Sequence, residues 1–555
     1  MIDPGPPSRP PSVLSRRDAL RLLGAAGAAV AAPALLAACE PTPSTPMPLA
    51  PDPSVRPLGF VGGADVDLGP GAWCWFQSPR ASLGPDGLLW MGASVAHTGT
   101  PADGAVKLLG LDTRSGALVV DRTLTTTRQD DHTSPSVLAI GDEVQVAWAL
   151  HQTVDWIDIA RTGPGGDRPT QRIHRPGAIR SPGRGTAYAS AHVVAGQRWI
   201  LYRGEQFSWN LLTSPDGQAW TARGLVVRPA TPGDRPYVHA ASDGDRLHLL
   251  VTNGNPTEFR GTCAYAGTIE SDLTITRSVG GKVGTVGAGA PLPRDLLRLA
   301  VGVVGATEAD DTDMWLSDLH VIDRRPTGIL VRRDPWPPGA NAVGVYRHRY
   351  FWVRQRATGW VVEPLCWAGG ELCPTQPDYA ALGAQDPSIA TRVVVSTNVH
   401  PVTGTPLTSL ADGKVHFELF EGTRVGEGSW TWQALTADSV EDNVRPVIAA
   451  GGTTKSLAWM RGRYWSWTDA ATRIVVRQAV AGPTDPPTTT TSTSTTSTST
   501  PTTTTTSTTT STAPPATTST TTSTTVASGG GPGPLDDGAV AEAGGQGAEG
   551  RPPSP

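Results

Sequence analysis

The residues best suited to chemistry gather in one short run, Arg128-Gln129-Asp130-Asp131-His132-Thr133-Ser134-Pro135. A histidine follows directly on two carboxylates and precedes a strand-like segment, Ser136-Val137-Leu138-Ala139-Ile140. Imidazole is the one side chain whose unperturbed pKa lies near neutrality, which makes His132 a candidate for proton transfer at working pH. A strand beginning here starts at the rim of a sheet, where a side chain can reach a ligand. Charged turns of the same composition also precede strands without any chemistry. The run acquires meaning only from the elements that hold it.

Composition narrows what those elements are. The formal net charge is −5 and there are no basic runs, which argues against nucleic acid as the partner. Eighteen Trp against seven Phe is an unusual ratio and points to a Trp-rich β protein, with rings available for core packing or for stacking on sugars. From Pro483 to Pro555 the chain is Thr/Ser/Pro-rich and then Gly-rich, a composition that cannot bury a core and reads as a disordered tail.

The amino end reads as an address. Arg16 and Arg17 form a twin-arginine pair, and the apolar stretch from Leu22 to Ala38 is short, Ala/Gly-rich and interrupted by Pro33, like the h-region of an export signal. It ends Leu36-Ala37-Ala38-Cys39, which resembles a bacterial lipobox in which Cys39 would take lipid. The expectation is a Tat-exported lipoprotein: signal peptide 1–38, Pro-rich linker 39–57, folded domain 58–482 and disordered tail 483–555. It would be lipid-anchored to the outer face of the bacterial cytoplasmic membrane or cell envelope. Of the remaining cysteines, Cys366 and Cys373 flank a Gly-containing turn and could close a local disulfide in an oxidising compartment. Cys74, between two tryptophans, reads as a small buried hydrophobe. There is no Cys-x-x-Cys or His-Glu-x-x-His spacing, so no metal or other cofactor is expected.

Residues 58–482 carry a loose repeat. A Pro or small residue opens a strand, a Gly- or Asp-containing turn follows, and a second strand rich in aromatic and β-branched residues returns. The opening appears at Pro79-Arg80-Ala81, Pro135-Ser136-Val137, Ala191-His192-Val193, Pro236-Tyr237-Val238, Pro387-Ser388-Ile389 and Pro446-Val447-Ile448. Ser214-Pro215-Asp216-Gly217-Gln218-Ala219-Trp220 is a short form of an Asp-box turn. Short strands, hairpin turns and the near absence of helical periodicity predict an all-β fold. About 50 to 60 residues per unit fits a seven-bladed β-propeller, in which sheets arranged about an axis leave few edges exposed. A β-helix or a double sandwich fits the long hairpin repeat less well.

Several runs taken together resemble a known family. Trp73-Cys74-Trp75-Phe76-Gln77-Ser78-Pro79-Arg80, Asp130-Asp131-His132, Arg235-Pro236-Tyr237-Val238, Asp386-Pro387-Ser388-Ile389 and Asn443-Val444-Arg445-Pro446-Val447 follow one another as in the BNR-repeat propellers that include ulvan lyases. The resemblance implies a seven-bladed propeller with a carbohydrate cleft on one face. It implies that His132 and Tyr188 do the proton chemistry, that Arg203 and Tyr237 hold a uronate, and that His151 matches a second family histidine. Thr133-Ser134 stands where the family has Asn-Asn, and His239 where it has Lys.

The chemistry implied is β-elimination at a uronic acid. The C5 proton is weakly acidic until the adjacent carboxylate is neutralised, and a buried guanidinium can hold that carboxylate and stabilise the enolate-like charge. A neutral His or an ionised Tyr then takes the proton while an acid protonates the departing O4. The expected partner is therefore a polysaccharide, uronate-containing, met by a monomer. A non-catalytic glycan- or protein-binding surface propeller is the competing reading, with a glycoside hydrolase on the same scaffold a weaker one. Fold does not choose between them.

Overall fold

In the computed structural model, residues 58–480 are described apart from 97–102, 164–165, 175–184, 232–233, 257–260, 301–312, 335–346, 374–375 and 377–378. The twin arginines, Cys39, the linker and the tail beyond 480 lie outside the described residues.

The described strands form seven antiparallel sheets, numbered here as blades 1 to 7 in chain order. Their innermost strands are Ala81–Leu83, Ser136–Ile140, Ala187–Val194, Tyr237–Ser242, Met314–Ile322, Gly383–Gln385 and Asn443–Gly451. Each of these packs against the next, and the last against the first, so the ring closes. Closure is completed by exchange along the chain: Asp65–Pro70, which precedes blade 1, pairs with Asp469–Gln478 and becomes the outer strand of blade 7. The seven-bladed propeller expected from the repeat is the observed fold. Blade 4 carries extra strands, Lys282–Thr285 and Leu297–Arg298, at its outer side.

Residue patterning explains the order within a blade. The inner strand Tyr237–Ser242 is buried along nearly its whole length, packed on both faces. The outer strand of blade 1, Leu118–Thr127, largely alternates half-buried with exposed residues, as a strand with one wet face must. Tight hairpins join inner to second strands. In blade 3 the turn is Ala195-Gly196, with φ of 47° and 74°, the left-handed pair that matches the twist of the flanking strands.

The repeat openings correspond to inner strands in blades 1, 2, 3, 4 and 7, with two departures. Blade 5 opens at Met314 without a proline, and its copy is not visible in the sequence. In blade 6 the inner strand ends before Pro387. There Asp386 Oδ1 accepts from Ser388 N at 2.9 Å and Ile389 N at 3.1 Å, so the run Pro387-Ser388-Ile389 is a turn.

The Trp73–Arg80 run fills the axis. Its residues are almost entirely buried, and it touches blade after blade. Trp73 Nε1 donates to Arg445 O (3.1 Å), Cys74 N to Asp131 O (3.1 Å) and Gln77 Nε2 to His132 O (2.6 Å). The Phe76 ring meets Tyr188, Tyr237 and Trp315, and the Trp75 ring meets Trp315 and Tyr379. Full burial of each such ring contributes roughly 2–3 kcal/mol. The run is thus a central plug whose top supports the His132 loop. Cys74 is buried there as expected, its thiol pushed up by burial and by the Asp131 carboxylate.

One expectation is corrected. Cys366 and Cys373 are not joined by a disulfide. Cys373 Sγ instead donates to Trp465 O at 2.6 Å, while Cys366 sits in the outer strand of blade 5 opposite Tyr350, so the two sulfurs serve different contacts.

Candidate functional site

The expected residues meet at one mouth of the ring, the face where inner strands begin and second strands end. His132 lies in a single helical turn, Asp131–Thr133, capped by Asp130, whose side chain accepts from His132 N at 2.9 Å. Two glycines of blade 1 hold this run in place. A Cβ on Gly104 would lie 2.4 Å from Gln129 N, and one on Gly92 would lie 2.4 Å from Pro135 O, so only glycine lets the loop seat this closely. From the other side blade 7 grips it: Asp131 N donates to Trp467 O (2.9 Å) and Gln129 Nε2 to Ala470 O (2.6 Å).

His151 follows the second strand of blade 2, Glu143–Trp148. Its loop pairs with the lead-in to blade 3 through Gln152 N to Thr186 O (2.9 Å) and Thr186 N to Val154 O (2.7 Å). That pairing brings His151 beside Tyr188. Tyr188 itself sits in a bulge of the inner strand, where register skips between Ala187 and Ser190, and its φ of 56° turns the ring toward the axis. Arg203 ends the second strand of the same blade, directly opposite Ala187, and Tyr237 begins the inner strand of blade 4.

The contacts are close and continuous. The His132 and His151 rings are stacked, centroids 4.1 Å apart and 5° from parallel. Tyr188 lies 5.2 Å from His132 and 6.2 Å from His151. The Arg203 guanidinium covers the Tyr188 ring at 4.4 Å and the Tyr237 ring at 5.1 Å, and Phe207 at 5.3 Å. Arg235 stacks on Phe207 at 4.5 Å. The Trp467 ring stands at right angles to both imidazoles, 5.4 and 5.3 Å away. Every site residue read from the sequence for this cleft (His132, His151, Tyr188, Arg203 and Tyr237) is therefore in one place.

The electrostatics sort the two imidazoles into different states. Asp130 bridges them: Oδ1 accepts from His132 Nδ1 at 3.0 Å and Oδ2 from His151 Nδ1 at 2.9 Å. His132 Nδ1 also lies 2.8 Å from Asp131 Oδ1. Burial disfavours the charged imidazole, but the Asp131 and Asp130 carboxylates outweigh it and push His132 up to about 9. Of the two carboxylates His151 meets Asp130 and not Asp131, and it faces the His132 cation, so burial and that neighbour push it down to about 4. At neutral pH His132 is an imidazolium and His151 a neutral base. Burial tends to raise both aspartates, yet their cationic partners hold them below the usual carboxylate range. Burial keeps the Tyr188 phenol far above its ordinary value despite Arg203, so it is a proton donor rather than a phenolate.

Sequence reasoning missed the network behind His132. Asp131 Oδ2 is bound by Arg445 Nη1 and by the Tyr464 hydroxyl at 2.8 Å, and Arg445 Nη1 also donates to Trp73 O at 2.7 Å. Arg445 is buried, stacked on Tyr464 at 4.2 Å and Trp75 at 4.8 Å, at a bulge with φ of 52°. The one available signal was the Arg445-Pro446 step at a strand start. The roles of Tyr464 and Trp467 had none beyond the richness in aromatics. Asp130, His132 and His151 bring one donor atom each within 4.8 Å of one another, as do Cys74, Asp131 and His132. Both histidine Nδ1 atoms are already committed to Asp130, so a cation there would have to displace those hydrogen bonds.

No protein-family model and no curated protein matches the chain. Among solved structures it is similar to a polysaccharide lyase of family PL25, an ulvan lyase, at 10% identity and a TM-score of 0.50, covering 76% of this chain and 95% of that one. The same kind of lyase bound to -[GlcA(1-4)Rha3S]- aligns over 74% and 94% at 10% identity, TM-score 0.49. An arabinanase of Bacillus subtilis aligns over 62% and 92%, also at 10% identity, TM-score 0.27. At such identity the likeness is one of fold.

Proposed function

We propose that this chain is an exported, lipid-anchored, carbohydrate-active propeller that cleaves a uronate-containing polysaccharide by β-elimination. The observation that carries the reading is the stacked imidazole pair, one charged and one neutral, within ring contact of a protonated tyrosine and a buried arginine. A uronate carboxylate entering this mouth would meet the Arg203 guanidinium and the His132 imidazolium. Both offset its charge and that of the enolate-like species that follows loss of the C5 proton. With its Nδ1–H spent on Asp130, His151 carries its lone pair on Nε2, which accepts from Gln152 Nε2 at 3.3 Å; substrate displaces that amide and Nε2 takes the proton. The C4–O4 bond breaks as the C4=C5 double bond forms, and the Tyr188 hydroxyl supplies the proton to O4.

The assignment departs from the simplest expectation, in which His132 itself was the neutral proton carrier. The paired carboxylates make His132 the fixed positive charge, and His151 inherits the basic role. The similarity in fold to an ulvan lyase, a polysaccharide lyase, is in keeping with a polysaccharide substrate. The test is a screen over uronate polysaccharides, read by the ultraviolet absorbance of the unsaturated product. Turnover should be lost in His132→Ala and in His151→Asn while the protein remains folded. No absorbance with any uronate polymer, or full turnover in both variants, would refute the mechanism and leave a glycan-binding propeller.

A further inference from the structure

A second cleft lies away from the histidines, on the seam between blades 5 and 6. It is formed by the outer strand of blade 5, Gly359–Gly369, and the outer strand of blade 6, Ser429–Ala434, with Trp367, Pro364, Arg349, Trp430, Trp432 and Val402 among its lining. Its upper end includes the loop after the blade 6 strand Arg392–Thr397, the topological counterpart of the loop that carries His151. The cleft therefore reaches the face that bears the candidate site.

Its chemistry is that of a stacking surface. Trp430 and Trp432 lie on one side of their strand with ring centroids 6.2 Å apart and planes 27° from parallel. A Cβ on Gly422 would lie 2.5 Å from Trp432 Cζ3, so the indole lies flat against that backbone and its opposite face is turned away from the sheet. Trp430 is braced edge-on by Trp352 at 6.1 Å. The Trp430 Nε1 donor is buried with no hydrogen-bond partner among the described residues. At one end the Arg349 guanidinium covers the Trp367 ring at 3.7 Å. Pyranose rings present polarised C–H faces, which the negative face of an indole attracts. The guanidinium stacked on Trp367 places a cationic group at that end of the groove.

We propose that this cleft is a non-catalytic binding groove for a strand of anionic polysaccharide, which holds the polymer while another stretch of it enters the mouth of the ring. This rests on the reading of the chain's ligand as a uronate glycan. Val402, 62% exposed at the rim, allows a test that does not disturb the core. In the full chain, Val402→Glu should weaken retention in native gels containing alginate, hyaluronate or polygalacturonate, whichever retains the wild type, by about tenfold. Turnover of a short oligosaccharide of the same polymer should be unchanged, and Trp432→Ala should reproduce the loss of retention. Unaltered retention in both variants would overturn the proposal, as would absence of retention in the wild type on all three polymers. Retention lost in Val402→Glu with no unsaturated product from any polymer would support the groove while sinking the lyase reading.

Discussion

Asp131→Asn should be the most revealing single substitution. In the native protein the Asp131 carboxylate faces three partners, the Arg445 guanidinium, the Tyr464 hydroxyl and the His132 imidazolium, all buried. Asparagine keeps an acceptor oxygen but removes the charge, and leaves Arg445 a buried cation without its counter-ion. Breaking a buried pair from one side costs roughly 3–5 kcal/mol, and the retained acceptor argues for the lower end, about 3 kcal/mol. A second signature is in pH. The folded-state pKa of His132 is raised from 6.5 to about 9, so the stability it contributes is fully present below 6.5 and is lost as pH rises through 9. Integrated from pH 7 to pH 10, that loss is roughly 2–3 kcal/mol. Asp131 is the largest of the attractive causes, so the variant should lose roughly half as much or less over the same interval. Unfolding in urea, which unlike guanidinium does not screen charge, measures both quantities from the same titrations at pH 7 and pH 10. A variant within 1 kcal/mol of wild type at pH 7, or one with the full wild-type loss at pH 10, would show that the network does not hold His132 charged.

Tyr188→Phe should leave the thermal midpoint near wild type and lower kcat by about two to four orders of magnitude on the uronate substrate, since only the donated proton is removed; wild-type kcat would take Tyr188 out of the reaction. His239 is buried in the blade 4 inner strand with neither ring nitrogen hydrogen-bonded among the described residues, and burial together with Arg80 depresses its pKa to about 3. Below 6.5 the unfolded chain takes up that proton and the folded one does not, so stability falls with acid. His239→Leu should raise stability by roughly 1–3 kcal/mol and flatten the decline between pH 6.5 and pH 4, with urea midpoints as the readout; a less stable variant would mean the ring nitrogens are satisfied in solution. Gly104→Ala forces the Gln129 backbone outward and should lower kcat/KM by about tenfold or more with circular dichroism unchanged; unaltered kinetics would mean the His132 loop tolerates the shift. Cys39→Ala should move the protein from the membrane fraction to the supernatant, and continued membrane retention would remove the lipid anchor from the account.

Much of the scaffold is readable locally because its causes are local. Alternation in outer strands such as Leu118–Thr127, Gly-containing hairpins, and a proline before several inner strands each act over a few residues, and the number of such units sets the number of blades. The same logic fails where a particular side chain or a neighbouring blade overrides the pattern. Pro387-Ser388-Ile389 has the composition of a strand opening, but the Asp386 side chain turns it. Blade 5 has no opening signature and is placed by its neighbours on both sides.

For the site, the sequence by itself determined which groups exist: an imidazole after two carboxylates, a tyrosine and an arginine in the following blade, and a second imidazole between them. Their meeting was legible only through a resemblance, and their protonation states were not legible at all. Which histidine is charged depends on Asp131 lying beside His132 alone, and on Asp130 being shared with a loop 21 residues away. It depends further on a guanidinium 314 residues distant that keeps Asp131 ionised. Such energies fall off within a few ångströms and change with burial, so they belong to the closed ring and not to any segment of the chain.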